Sequence, residues 1–319
     1  MHRCNLIAPA KINLYLEILG DRPDGFHELA MVMQTTGLGD RVEIALVGTQ
    51  AMQVLCNHPD VPQDASNLAY RAADLMAKSF PSAYDRYGGA RITIDKHIPI
   101  GAGLAGGSSN AAAVLVGLDL LWELGLTKGE LQEIGAKLGS DVPFCIAGGT
   151  LLATGRGEQL SPLPDLDGVP LVLAKYRSLS VSTVWAYQAY RQQFQETYRS
   201  PGDEFLHRHH EVQSGPMVAA IAQKNIRAIA DHLHNDLEKV VLPAHPAVQH
   251  LRETFAQQPQ IIGTMMSGSG PTVFALCEST NHAQTIAAAV KQAIPDPDLE
   301  VWVTQTSPLG VHLESSERG

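Results

Sequence analysis

Eleven consecutive residues constrain this chain more than any others: Pro99-Ile100-Gly101-Ala102-Gly103-Leu104-Ala105-Gly106-Gly107-Ser108-Ser109. Closely spaced glycines let backbone amides approach an anion, and the Ala/Leu-rich helix expected over 108–124 turns its positive dipole end on the same place. The pattern predicts a phosphate cradle. A turn that needed only positive φ would not gather so many glycines and serines directly ahead of a long helix. Two familiar nucleotide motifs nearly fit, and neither holds. Gly101-x-Gly103-x-x-Gly106 has the letters of the dinucleotide fingerprint, but the first helix leads into a second helix instead of a parallel strand. The nearest acids, Asp119 and Glu123, lie inside that first helix. Gly101-x-x-x-x-Gly106-Gly107-Ser108 imitates a P-loop with glycine where its lysine must stand. A triphosphate held here needs its cation or its acid from elsewhere in the chain.

Composition narrows the partners. With 23 Lys+Arg against 33 Asp+Glu the net charge is −10, which excludes a general nucleic-acid binder and any global attraction to anionic lipid. The 319 residues, 45% of them hydrophobic, suffice for two domains with a real core and exclude disorder. The uncharged window 98–118 holds five glycines and Pro99, so it is no membrane span. Cys4, Cys56, Cys145 and Cys277 are scattered without metal- or disulfide-type spacing, and the N-terminus has no apolar leader core. The expectation is a cytoplasmic protein with reduced thiols and no membrane partner.

Periodicity fills in the elements. Over 3–20, Ile12, Leu14, Leu16 and Ile18 alternate with Lys11, Asn13, Tyr15 and Glu17, as in a half-buried strand. Asp21-Arg22-Pro23-Asp24-Gly25 reads as a turn. Strands are expected at 29–35, 42–47, 52–56, 91–95 and 150–154. Helices are expected at 66–78, 108–124 and 127–138, the last opened by Thr127 and Glu130 at capping-box spacing. The Pro/Gly/Asp-rich run 161–170 marks the expected boundary between domains 1–160 and 161–319. Beyond it the pattern gives strands at 169–174, 261–266, 272–276 and 300–304, with helices at 183–190, 218–232, 247–256 and 284–294. The polar insert 191–215 carries His207, His209 and His210, but no fixed acidic or cysteine partner, which favours a solvated loop over a metal site.

At this point the residues resemble the GHMP kinases, the group of galactokinase, homoserine, mevalonate and phosphomevalonate kinases. The glycine loop with Asn110 is similar to their ATP loop. Pro9-Ala10-Lys11-Ile12-Asn13-Leu14, followed by Arg22-Pro23-Asp24-Gly25-Phe26-His27-Glu28-Leu29, resembles the branch that acts on a cytidylylated methylerythritol. Gly139-Ser140-Asp141-Val142-Pro143-Phe144, His234-Asn235-Asp236-Leu237-Glu238 and Met266-Ser267-Gly268-Ser269-Gly270-Pro271 follow in the family's order. The resemblance implies an α+β kinase of two domains, the first like the second domain of ribosomal protein S5 and the second ferredoxin-like. It implies transfer of the γ-phosphoryl of ATP to the 2-hydroxyl of 4-diphosphocytidyl-2-C-methyl-D-erythritol, in non-mevalonate isoprenoid synthesis. Mg²⁺ is expected with the ATP, its ligands unassigned beyond a role for Ser108 or Ser109, and the chain is expected as a monomer or weak homodimer.

Residue by residue, the resemblance carries Pro99 to Ser109 onto the ATP phosphates, and Asn67, Leu68 and Lys96 onto the adenine side. Lys11 and Asp141 match the catalytic pair. Asn13 and His27 match substrate contacts, Phe26 and Tyr187 the two aromatics about the cytosine, and Thr183 a residue near the diphosphate. Phe26 stands where tyrosine is usual, so stacking survives and a hydroxyl contact is lost. Read without the resemblance, Lys11 is a solvent-facing strand lysine, and Phe26 and Tyr187 could equally be core aromatics. Gly268-Ser269-Gly270 is either a second anion nest or a tight turn. The segment 234–238 reads as a buried polar element joining the domains, ahead of a metal site. Asp24-Gly25-Phe26-His27 separates this branch from mevalonate- or homoserine-type kinases. Intact Lys11 and Asp141 speak against a non-catalytic ATP-binding regulatory module.

Overall fold

The computed structural model describes residues 2–315. Its first sheet is built on two long antiparallel strands, β1 (Arg3–Asp21) and β2 (His27–Leu46), joined by the turn at 22–26. β3 (Gln53–Cys56), α1 (Leu68–Ser79), α2 (Pro81–Tyr87) and β4 (Ala90–Asp95) follow. The chain then runs through α3 (Gly106–Leu121), α4 (Lys128–Ala136), α5 (Val142–Ala147), β5 (Thr150–Gly155) and β6 (Gln159–Pro162). β2 pairs with β4 at one end and with β5 at the other.

The chain leaves this sheet after Pro162 and enters a second, antiparallel one with β7 (Pro170–Tyr176). Next come α6 (Thr183–Phe194), α7 (Asp203–Gln213), α8 (Pro216–Ala222), α9 (Ile226–Asp231) and the short β8 (His234–Asn235). The chain ends with α10 (Glu238–Ala244), α11 (Pro246–Ala256), β9 (Ile261–Met266), β10 (Val273–Cys277), α12 (Thr280–Ala293), β11 (Leu299–Gln305) and β12 (His312–Leu313). The second sheet has the order β11-β7-β10-β9. β8 and β12 return to the first sheet and pair with β1.

Alternation along the strands explains the layering. On β7, Val172 and Ala174 face one core while Leu171 and Leu173 face another. β10 does the same, with Val273 and Ala275 on one side and Phe274 and Leu276 on the other. One core joins Leu171, Leu173 and Phe274 to Ile12, Leu14, Ala30 and Val32 of the first sheet. The opposite faces bury α1 and α3 on the first sheet, and α11 and α12 on the second. A sheet covered on both faces needs near-continuous apolar strands. That requirement is visible in the run Ala8 to Leu14, all of it buried.

Three expectations need correction. The strands read at 29–35 and 42–47 are one strand, β2. Gly37 and Gly39, which look like turn residues, mark close approach: a Cβ on Gly39 would sit 3.0 Å from Ile7 and 3.2 Å from the Ala8 carbonyl. The helix read at 218–232 is two short helices, interrupted where Lys224 takes a positive φ of 51°. The insert 191–215 is not simply a loop, because it contains α7. Phe205 and Val212, seven residues apart, bury one face of that helix. Among the described residues no group of three or more His, Cys, Asp or Glu side chains is arranged to hold a metal ion.

The segment 234–238 does join the halves. Asn235 donates from Nδ2 to the carbonyls of Met266 and Gly268, each at 2.8 Å, and Asp236 accepts the Ile18 amide at 2.8 Å.

Candidate active site

A cavity of about 760 Å³ opens between the two sheets, floored by β1 and roofed by the start of α3 and the turn between β9 and β10. Gly101 and Gly103 take positive φ, 58° and 72°, and Ala105 does so without being glycine, at 57°. Gly103 has a second reason to lack a side chain. A Cβ there would come 2.4 Å from the Ser267 carbonyl. The loop is pressed onto the 267–270 turn, whose Ser267 hydroxyl donates to the Gly103 carbonyl at 3.3 Å. α3 begins directly at Gly106 with no side chain capping it. Its first amides therefore have no intrahelical acceptor, and they head a 16-residue dipole that opens on the cavity.

Below the loop, Lys11 is 5% exposed, not the surface lysine its strand position suggested. Its backbone amide donates to the Leu104 carbonyl at 3.1 Å, which ties β1 to the loop. The ammonium donates to Asn13 Oδ1 at 2.6 Å and lies 3.9 Å from Asp141 Oδ2. Asp141 precedes α5 and lines the cavity with about a third of its side chain open. A carboxylate so placed can take a proton from a hydroxyl, while the ammonium stabilises negative charge as it develops.

The far end of the cavity is aromatic. Phe26, 53% exposed, stands on the turn between β1 and β2, with the Arg156 guanidinium 4.9 Å above its ring. The His27 ring packs 5.1 Å from Tyr187 on α6 and meets Tyr198 edge-on at 6.0 Å. Burial, then the Arg191 guanidinium, lower the His27 pKa from its usual value, with Asp21 pulling the other way. The neutral His27 ring is therefore favoured. Burial and the carboxylates of Asp141 and Asp236 raise the Tyr187 pKa, so its phenol keeps its proton. Thr183, at the start of α6, bonds Ser269 across the cavity at 2.9 Å. The 267–270 turn is thus a strand-to-strand turn that also presents Gly268 and Ser269 to the cavity.

On the remaining wall, Asn67 caps α1 by accepting the Ala69 amide at 2.8 Å, with Leu68 beside it. Lys96 reaches the wall, but its ammonium is paired with the fully buried Asp40 beneath Gly106. Asp40 also accepts the His97 and Ile98 amides and the Asn110 side chain, at 2.7, 2.8 and 2.8 Å. Ser109 departs from expectation. It lies fully buried behind the loop, its amide donates to the Ala105 carbonyl, and it is not on the cavity wall. One residue past the first free turn, its amide belongs to the helix. Residues that line the cavity and escaped the sequence reading include Arg156, Gln188 and Arg191. Arg156 alone carried a signal, as a single cation in a Gly-Arg-Gly turn.

The chain matches the families described as GHMP kinases N terminal domain over residues 67–149 and GHMP kinases C terminal over 217–296. It is 61% identical over 316 residues to a Nostoc punctiforme protein named 4-diphosphocytidyl-2-C-methyl-D-erythritol kinase, covering 99% of this chain and 100% of that one. The chain belongs to the GHMP kinase family. Members are ATP-dependent small-molecule kinases, and this one is an enzyme of that kind with their two-domain α+β fold. A crystal structure of 4-(cytidine 5'-diphospho)-2C-methyl-D-erythritol kinase superposes with a TM-score of 0.72 at 32% identity, covering 95% of this chain and 98% of the other. Homoserine kinase from Cytophaga hutchinsonii gives 0.75 at 17% identity over 98% of both, a likeness of GHMP kinase fold alone. Among the described residues no helix is long and apolar enough to cross a membrane.

Proposed function

We propose that this chain transfers the γ-phosphoryl of ATP to the 2-hydroxyl of 4-diphosphocytidyl-2-C-methyl-D-erythritol. The observation that carries this reading is a single cavity with an uncapped helix N-terminus at one end, an aromatic pair at the other, and Lys11 with Asp141 between them. In this reading the loop 99–108 holds the ATP phosphates, with Asn67, Leu68 and the backbone near Lys96 on the adenine side. Phe26 and Tyr187 flank the cytosine, His27 reads its edge as a neutral ring, Asn13 and Thr183 hold the polyol and diphosphate, and Asp141 takes the hydroxyl proton. Phosphoryl transfer asks the protein for in-line positioning and charge stabilisation, and Lys11 supplies the second.

Mg²⁺ fits the wall to the extent that a triphosphate-borne ion needs only one or two protein oxygens. Ser108 and Asp141 offer them, and Ser109 does not. When bound, the ion neutralises phosphate charge. We assign residues 1–160 to ATP binding and 161–319 to closing the substrate cleft, in a monomer or weak homodimer. The four unpaired cysteines suit a cytoplasmic setting.

The test is a coupled ADP assay with the cytidylylated substrate, mevalonate and homoserine. Turnover with the first alone is expected, and equal turnover with either of the others would sink the assignment.

A further inference from the structure

Glu28 takes no part in the cavity wall, yet three parts of the nucleobase end converge on it. It is 6% exposed, one residue past His27. One carboxylate oxygen accepts from Arg22 Nη1. Arg22 in turn closes the turn that carries Phe26: its amide donates to the Phe26 carbonyl at 2.8 Å, and its carbonyl accepts the Gly25 amide at 3.1 Å. The other carboxylate oxygen accepts the Gly155 amide at 3.1 Å, which fixes the backbone directly before Arg156, the cation above Phe26. The ring of His209 on α7 closes the remaining side, its Nε2 3.3 Å from Oε1 but outside hydrogen-bonding direction. Elsewhere the insert backs the same region. Arg191 pairs with Asp21 at 2.7 Å, and Tyr198 meets the His27 ring.

We infer that Glu28 is a positioning residue for the nucleoside end of the substrate, holding the Phe26 turn and Arg156 in mutual register, with the insert 191–215 as its backing. The inference rests on the functional reading above. Its physical basis is that a binding geometry survives only if the residues behind it are themselves locked by hydrogen bonds. Charged hydrogen bonds to a buried carboxylate are the strong kind.

The test compares wild type with E28A, E28Q and R22A, each as the full chain. In E28A the KM for the cytidylylated substrate and the Kd for CDP should rise about tenfold or more, a loss of fixed geometry. kcat, the KM for ATP and the Kd for ADP should stay within about twofold. E28Q should recover part of the loss, because its amide oxygen still accepts from Gly155. R22A, which removes the strut from its partly exposed end, should act in the same direction. The double variant E28A/R22A should be no worse than the poorer single one, since both break one strut.

CDP affinity unchanged in E28A overturns the inference while wild-type turnover leaves the functional reading standing. Parallel loss of ATP and CDP affinity together with a lowered Tm also overturns it, as the sign of a merely structural residue. A wild-type chain that neither binds CDP nor turns over the substrate overturns the functional reading, and this inference with it.

Discussion

At the scale of single residues, the proposed chemistry rests on the pair Lys11 and Asp141, and each is differently legible. Asp141 sits ahead of Val142-Pro143, where a turn acid is ordinary. Lys11 sits at an alternating strand position that predicts solvent. Neither reading contained the loop that covers Lys11, because that cover comes from residues some 90 positions away, through the Leu104 carbonyl. Replacing Asp141 by Asn keeps the shape and removes the proton acceptor. We expect kcat to fall by roughly 10²–10⁴-fold with ATP affinity retained, measured by steady-state turnover and ADP titration. If turnover persists within tenfold, Asp141 is not the base. His27 gives a pH test. Its depressed pKa means that it gains charge at a lower pH than an ordinary histidine does. The KM for the cytidylylated substrate should therefore be flat from pH 8 to about 6.5 and rise below it. A rise that starts above pH 7 would contradict the direction of the shift.

Elements were most legible where their punctuation is chemical and local. Thr127 and Glu130 spell a capping box, and both halves of it are present, the Thr127 hydroxyl on the Glu130 amide and the Glu130 carboxylate on the Thr127 amide. The glycine loop announced itself in the same way. β2 and α7 did not, for opposite reasons: glycines that serve close packing imitate a turn, and a polar helix with only Phe205 and Val212 buried imitates a loop. The loop also makes the sharpest prediction at this scale. Gly103→Ala must place a methyl 2.4 Å from the Ser267 carbonyl at a φ of 72°. The left-handed conformation alone costs about 1–2 kcal/mol in a residue with a Cβ. We expect the variant to lose ATP affinity and several degrees of Tm, whereas Thr127→Ala loses about 1 kcal/mol of stability and no activity. Equal turnover for wild type and Gly103→Ala would show that the loop does not need its close approach.

Across the whole molecule, the net charge of −10 and a cavity proposed to take phosphates cease to conflict once charge is counted locally. Lys11, Lys96, Arg156 and Arg191 line the cavity with the acids Asp60 and Asp141. Lys96 and Arg191 are paired with Asp40 and Asp21 outside its wall, so Lys11, Arg156 and the free amides at the start of α3 supply its positive potential. The acidic excess lies elsewhere, and two of its members sit in the segment that joins the sheets. Asp236 is buried, which by itself would raise its pKa, but bonds from His234, Lys239 and the Ile18 amide outweigh that and lower it below 3.8. An acid whose native pKa is depressed contributes stability that is complete above its unfolded pKa and is lost as pH falls through the native one. Glu238, two residues on, is raised above 4.5 by burial despite its bond from the Met266 amide. Its contribution has the opposite sense, present below 4.5 and fading as pH rises through the native value. The acid limb of the wild-type stability curve is therefore a sum of opposed terms, and Asp236→Asn isolates one. The asparagine oxygen can still accept the Ile18 amide, while its NH₂ faces Lys239 and His234 without charge to offer. Urea unfolding should find the variant less stable than wild type at pH 5, and the margin should close as pH drops below 3.8. A margin that persists unchanged at pH 3 would mean that Asp236 joins the two sheets by its shape and hydrogen bonds, and that its charge contributes nothing to holding them together.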